Sequence, residues 1–511
     1  MRRDHRPPHP LLRTASVRAL EHAALAVTGP GALMDRAAAA VADAAERLAR
    51  SLPAGTPVRA FCGPGNNGGD ALLAAMMLRE RGFDARAFEL AEACAGSNSP
   101  ADAARVREQA RRSGMTPARI ESLAGLRELL DPAPPAPAPL VLDGLFGIGL
   151  ARPLSGLAEA FCRLVDELRP PLVAVDVPSG IDADTGAIVG GPGAAAVRAT
   201  LTVTMIADKP GLRTGAALDH VGELRIEPLG VTGARSDGIL FTRADAATLL
   251  PGRPRDSSKG SFGSVLVIGG AAGMAGAALL AGRAAQCSGA GKIWIASPDG
   301  PVFDPGQPQL MTRSVNAPFE RRATIVAGCG LGADSRAEAL LARILDSGLP
   351  MVLDADALNL LALCSPAGHG TLPVLTPHPL EAARLSGSEV GEIQADRIGA
   401  ACTIAETRRA VVVLKGAGTV VAHPDGYWAI VDSGGPALAT AGTGDVLAGL
   451  IGGLRAQGLS AWEAALLGCW AHGHAADRWA AHCGHAAGLS AAELPELARG
   501  ALASLHFARN E

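Results

Sequence analysis

Residues 58–80 read VRAFCGPGNNGGDALLAAMMLRE: a short apolar run, a turn dense in glycine and asparagine, and a long Ala/Leu/Met stretch. The apolar pattern changes from strand-like to helix-like across the turn, which marks the junction of a βα unit. Glycines there allow positive φ and close approach of a ligand, and the helix start aims unpaired amides at an anion. The turn is neither GxGxxG nor GxxxxGK[ST], so the standard dinucleotide fingerprint and the P-loop are both set aside.

The same unit recurs outward from this stretch. Apolar runs at 57–62, 140–143, 172–176 and 200–204 alternate with helical stretches. A second series follows at 264–269, 292–296, 324–327, 351–354, 411–414 and 419–421. Two α/β domains with mostly parallel sheets are expected. The proline-rich segment 131–139 has the composition of a stiff spacer, but the strand after it belongs to the first series, so it reads as a surface loop. The polar, turn-rich stretch 230–259, which follows a strand-like 223–226, is the better boundary. It is placed near 235, giving domains 1–235 and 236–511. No repeat of solenoid or propeller length is present.

Composition narrows the function. A chain of 511 residues is long enough for two to four domains. Lys and Arg total 46 against 50 Asp and Glu, with no long block of one sign, which argues against nucleic-acid and anionic-membrane partners. Aromatics are only 3% of residues, so cores are built from Ala, Leu and Val, and base-stacking platforms are not expected. The nine cysteines form no CxxC pair and are odd in number, as in a reduced interior. The basic N-terminus is followed by no secretion-type apolar run, and no eighteen apolar residues are consecutive; a soluble, cytoplasmic protein is expected.

Two further strand ends carry polar residues. LVLDGLFGIGL (140–150) ends a strand in Asp143 and turns through Gly147 and Gly149; VAVDVPSGIDADTG (173–186) ends one in Asp176, before Pro178, Ser179 and Gly180. Ligands of open α/β sheets bind where carboxyl ends of strands meet, so these ends should converge with 63–70 on one crevice. Asp143 or Asp176 alone reads as a turn cap; three polar strand ends together favour a site. Asn67, Asp143 and Ser179 are oxygen donors, which suits potassium or magnesium and not zinc.

These stretches, together with TMIADKPGLRTGAALDHVGELRIEPLG (204–230), resemble the NAD(P)H-hydrate epimerase domain over residues 10–230. The resemblance implies a Rossmann-like three-layer domain in which Asn66, Asn67, Gly68, Gly69, Asp70, Gly147, Ile148, Gly149, Leu150, Ala151, Arg152, Pro153 and Asp176 contact the hydrated dinucleotide. It also implies that Asn67, Asp143 and Ser179 hold potassium. Asp176 is the candidate acid and base. The family usually continues NNGGD with glycine, where this chain has Ala71.

In the second half, ALATAGTGDVLAGLIGGL (437–454) exposes amides at a helix start and places Asp445 in the first turn, the arrangement that neutralises a transferring phosphoryl group beside a carboxylate base. VVVLKGAGTVV (411–421) puts Lys415 at a strand end before two glycines. VLDADALNLL (352–361) and VLTPHPLEAARL (374–385) place Asp354, Asp356, His378 and Glu381 at others. With KGSFG, GCGLG and WAHGHAAD, these motifs resemble the ADP-dependent NAD(P)H-hydrate dehydratase, of ribokinase-like α/β fold, over 255–480. The resemblance implies that Lys415, Gly416, Ala417, Gly418, Thr419 and Gly444 bind ADP, with Mg2+. It further implies that Asp445, the candidate base, lies with His378, Gly330 and Ala277 against the hydrated dinucleotide. Cys329 stands where the family commonly has proline, and is expected to alter the turn more than the chemistry.

CWAHGHAADRWAAHCGH (469–485) offers Cys469, His472, His474, His482, Cys483 and His485, but no standard zinc spacing; a helix with an exposed polar face is expected. The function implied is repair of hydrated NADH or NADPH by epimerisation and nucleotide-dependent dehydration to NAD(P)H, AMP and phosphate. The partners are then small molecules, in a monomer or a homo-oligomer. The competing reading is a ribokinase-like small-molecule kinase fused to a dinucleotide-binding interaction module.

Overall fold

The computed structural model describes residues 9–91, 99–133, 137–233, 235–364 and 370–507. Cys94, most of the basic N-terminal segment and 134–136 of the proline run lie outside them. The chain divides into two compact units, Pro10–Asp237 and one running from Gly238 onward.

The first unit is built on a seven-stranded sheet, parallel at every pairing. Its order is Ala118–Ile120, Ala85–Leu90, Val58–Cys62, Leu140–Gly144, Leu172–Val175, Leu201–Met205, Glu223–Glu227. The central strands are buried on both faces, and the alternation of their side chains feeds two cores. Val58, Ala60, Leu140, Leu142, Val173 and Val175 pack toward helices Ala32–Ala49 and Asn66–Glu80, while Phe61, Val141, Leu172 and Ala174 pack toward helix Gly156–Leu168. Three layers result. Phe61 and Phe161, 4.6 Å between ring centres, anchor the second face. The strand order reverses between Val58–Cys62 and Leu140–Gly144, so the turns after those two strands diverge around a crevice.

Of the eleven strands in the second sheet, the ten from Gly238 onward run in the order Gly238–Phe241, Trp428–Val431, Val420–Ala422, Val411–Leu414, Val374–Leu375, Met351–Leu353, Ala323–Ala327, Ser264–Ile268, Lys292–Ala296, Met311–Thr312. All these pairings are parallel except the two that flank Val420–Ala422. The order reverses at Ser264–Ile268, beside the turn that carries Cys329. Helix Thr443–Ala456 lies against helix Ala275–Cys287 so closely that a Cβ on Gly449 would stand 2.1 Å from the Ala281 carbonyl oxygen. Gly453 meets the same helix at Ala285, whereas Gly452 faces the sheet at Val326.

The division between the units falls within the stretch 230–259, after Asp237, and the rest of that stretch is structured. It contributes strand Gly238–Phe241, paired with Trp428–Val431, and helix Arg243–Leu249, started by a Thr242/Asp245 capping box, and it buries Leu240, Phe241 and Ala246. Helix Ala461–Cys483 also differs from expectation, because most of its first two-thirds, His472 and Trp470 included, is buried.

Candidate active sites

In the first unit, a pocket of about 430 Å3 opens at the crevice. Asn66, Asn67 and Asp70 line it from the start of helix Asn66–Glu80, and Gly147, Ile148, Gly149 and Leu150 from the turn after Leu140–Gly144. Asp176 lines it from the end of Leu172–Val175. Ala151, Arg152 and Pro153 lie outside the lining, as do Gly68 and Gly69, which serve packing: a Cβ on Gly68 would stand 1.9 Å from the Gly63 carbonyl oxygen. Ala71 is buried against Gly144, away from the pocket, so the departure from NNGGDG is absorbed in the core.

Asp176 adopts φ +66, a strained conformation for a residue with a Cβ and one that persists where surroundings over-determine it. Those surroundings are three donors on Oδ1: Lys209 Nζ at 2.7 Å, Met205 N at 3.0 Å and Thr204 Oγ1 at 3.2 Å. Its other oxygen is free to face Gly147 and the pocket. Lys209 is wholly buried. It sits in the DKPG stretch at 208–211, but a lysine in sequence reads as surface, so its role as the cation behind Asp176 is visible only in the fold.

Asp143 is fully buried and joined to Ser179: Ser179 N donates to Oδ2 at 2.8 Å and Ser179 Oγ to Oδ1 at 2.7 Å, with Leu145 N also on Oδ1. Burial pushes its carboxyl up to about 6 against these hydrogen bonds. Asp143 and Ser179 lie outside the pocket lining, whereas Asn67 is part of it, its carboxamide against Gly147 and its Nδ2 buried without a partner.

In the second unit, Asp445 stands in the first turn of helix Thr443–Ala456, whose cap Gly442 has φ +89. Cys329, Asp354 and Asp445 bring their Sγ and carboxylate oxygens within 4.8 Å of one another. Lys415 Nζ donates to Asp354 Oδ1 at 2.8 Å, Thr376 Oγ1 donates to the same oxygen, and Glu381 lies 3.8 Å from the ammonium. Burial, with Asp354 alongside, pushes Asp445 up to about 6, opposed by hydrogen bonding from Cys329 and by Lys415. A Cβ on Gly444 would stand 3.3 Å from Lys415 Nζ, so glycine there keeps the ammonium accessible to the helix start. Ala355, next to Asp354, has φ +48, a second strained residue at a carboxylate-bearing strand end.

Cys329 reaches beyond its turn, its thiol contacting the candidate base. His378 also holds structure together. Its Nδ1 caps helix Pro379–Ser386 by accepting from Leu380 N and Glu381 N, and its Nε2 lies 3.3 Å from Glu381 Oε1. Gly330 and Ala277 do meet, on the turn beside Met274. The Lys415–Thr419 segment is a hairpin loop, held by the buried Arg397 guanidinium, which donates to the carbonyls of Leu414 and Lys415. The cysteine and histidine set at 469–485 is dispersed: His472 Nε2 donates to the Thr443 carbonyl at 2.9 Å, supporting the turn of Asp445, and His474 stacks on Trp470. Burial pushes His472 down to about 4, so it is neutral.

Carboxylates grouped where strand order reverses, in two units each complete with its own sheet, define a fused enzyme: a Rossmann-like domain followed by a ribokinase-like one. Comparison with known proteins agrees. The family described as "YjeF-related protein N-terminus" matches residues 30–211, and "NAD(P)H-hydrate dehydratase" matches 265–497. The chain is 38% identical over 461 residues to the bifunctional NAD(P)H-hydrate repair enzyme Nnr of Coxiella burnetii, covering 86% of this chain and 89% of that one. It is 37% identical over 440 residues to its namesake from Escherichia coli, covering 83% and 81%. A solved ADP/ATP-dependent NAD(P)H-hydrate dehydratase from Bacillus subtilis, co-crystallized with ATP/Mg2+, is 32% identical over 52% of this chain and 98% of its own, with TM-score 0.47. The chain belongs to the family of bifunctional NAD(P)H-hydrate repair enzymes.

Proposed function

We propose that residues 1–235 interconvert the epimers of hydrated NADH or NADPH and that residues 236–511 dehydrate the S epimer at the expense of ADP. The observation that carries this reading is the pair of separate carboxylate sites, one beside a buried lysine in an open crevice, the other beside a helix start and a lysine suited to phosphoryl transfer.

In the second site Asp445 takes the proton of the ring hydroxyl, whose oxygen attacks the terminal phosphorus of ADP; AMP leaves. Lys415 and the amides at the start of helix Thr443–Ala456 stabilise the charge on the moving phosphoryl group. The ring nitrogen lone pair then expels phosphate, and loss of the neighbouring C5 proton restores the dihydronicotinamide. Phosphorylation is what converts hydroxide, a poor leaving group, into a good one. In the first site the same lone pair expels hydroxide and water returns to C6, with the free oxygen of Asp176 managing the proton.

The all-oxygen set of Asn67, Asp143 and Ser179 has the donor chemistry of a hard monovalent cation site, whereas the unpartnered Asn67 atom is the amide nitrogen, a donor suited to a ligand oxygen and not to the cation. Potassium held by those residues would neutralise Asp143 and fix the turn that follows it. Magnesium would come with the nucleotide and sit on its phosphates, since a thiol and an ammonium within the Cys329/Asp354/Asp445 group make those side chains a poor cage for a resident ion. No helix among the described residues is long and apolar enough to cross a membrane. The odd number of cysteines and the absence of a CxxC pair in the sequence fit a cytoplasmic setting.

The test is recovery of dihydronicotinamide absorbance when the epimer mixture is incubated with the protein and ADP. Recovery with phosphate and AMP released supports the reading. Accumulation of a stable phosphorylated product would favour the kinase instead.

A further inference from the structure

Four carboxylates line the first pocket, and the structure treats two of them in opposite ways. Asp176 has a buried ammonium and two further donors on one oxygen. Asp70 receives no such support. It lies in the first turns of helix Asn66–Glu80, nine-tenths buried, and its Oδ1 is buried without a hydrogen-bond partner. The charges that act on it are all negative: Asp176 from the strand end, Glu21 from helix Thr14–Thr28 and Asp102 from helix Ala101–Arg112. Arg18 and Lys209 reach Glu21 instead. Burial first, then those three carboxylates, hold Asp70 well above the ordinary carboxylate range. An orphaned carboxyl oxygen in a ligand pocket is costly unless it serves a ligand, and a carboxyl group without a cation beside one paired with a lysine can divide the work of acid and base.

We propose that Asp70 is the proton donor of the first site, the carboxyl group that protonates hydroxide as it leaves the ring, with the lysine-paired Asp176 as its counterpart. This rests on the epimerase reading above. The nitrogen lone pair forms a double bond to C6 and the C6–O bond breaks with its electrons on oxygen. The Asp70 proton passes to that oxygen, so water departs and Asp70 is left as carboxylate. A water molecule then adds to the other face of C6, its electron pair forming the new C–O bond, the ring nitrogen recovering its lone pair, and its proton passing to Asp176. The reverse reaction runs with the roles exchanged, or proton exchange with solvent resets the pair.

The test uses the full chain with a single purified epimer and no nucleotide, following appearance of the other epimer. Asp70→Asn replaces a neutral acid by a neutral isostere, so the expected result is a kcat reduced at least about 100-fold, the size of a lost general acid, with KM held within about threefold. Wild-type kcat should also fall at high pH as Asp70 ionises, and the residual rate of Asp70→Asn should lack that limb. Asp70→Glu should recover part of the loss. The melting temperature of Asp70→Asn should not drop, because the substitution removes a carboxyl group among like charges. A kcat kept within a few-fold, or a loss confined to KM, would overturn the proposal and leave Asp70 a contact residue. Failure of the wild-type protein to accelerate exchange at all is a separate result, and it would overturn the epimerase reading itself.

Discussion

The dehydratase site makes a quantitative forecast through Cys329. If Asp445 must be ionised to accept the ring proton, the rate must fall as pH drops through its titration near 6. Below that point kcat/KM should lose about tenfold per pH unit, and at pH 5 roughly a tenth of the enzyme is competent. The thiol of Cys329 favours the ionised form by donating to Asp445. Cys329→Ala removes a hydrogen bond worth ~0.5–1.5 kcal/mol. At 1.36 kcal/mol per pH unit the acid limb should then move upward by about 0.4–1 unit. Cys329→Ser keeps a donor and should leave the limb near its original place. The assay is the initial rate of dihydronicotinamide recovery from the S epimer at saturating ADP, taken across the acid range for the three proteins. A limb that stays fixed in Cys329→Ala, or moves toward lower pH, would refute the claim that the thiol tunes the base.

Other substitutions probe the remaining parts. Asp445→Asn should lower dehydration at least about 100-fold. It should also raise stability at neutral pH: with the folded value raised from 3.8 to about 6, ionisation destabilises the folded state as pH rises through that window, by up to about 3 kcal/mol. A Tm below wild type would contradict this. Lys209→Met strips the buried cation from Asp176 and should cost about 3–5 kcal/mol in denaturant unfolding along with epimer exchange. Unchanged stability would mean that Asp176 needs no partner. Asp143→Ala should weaken dinucleotide binding by the first site and abolish its response to potassium in calorimetry. A response that survives would return Asp143 to the role of turn cap for Leu145 and Ser179.

The sequence discloses those parts of the fold that depend on local pattern. Apolar runs ending in Asp and glycine mark the strands Leu140–Gly144 and Leu172–Val175 because strands buried on both faces read as continuous hydrophobic stretches. Ala85–Leu90 escapes that reading, since Arg86 and Glu89 interrupt it toward the edge of the sheet. Gly238–Phe241 escapes for another reason: four residues within a polar stretch carry no periodicity, and only pairing with Trp428–Val431 makes them a strand. At the sites, glycine turns and strand-end carboxylates are visible in the chain, whereas their charge partners are not. Lys209 lies 33 positions from Asp176, and Lys415 lies 61 from Asp354. Cys329 meets Asp445 and His472 meets Thr443 only once the sheet and helices assemble. Nothing in local composition distinguishes a buried lysine from a solvated one.

The central claim is that one chain carries both repair steps, and the R epimer alone tests it most directly. Supplied with purified R epimer and ADP, the intact protein should restore dihydronicotinamide absorbance far faster than spontaneous epimer exchange permits, releasing phosphate and AMP in equal amounts. Recovery at only the spontaneous rate, with the S epimer consumed normally, would contradict the account by leaving residues 1–235 without catalytic work.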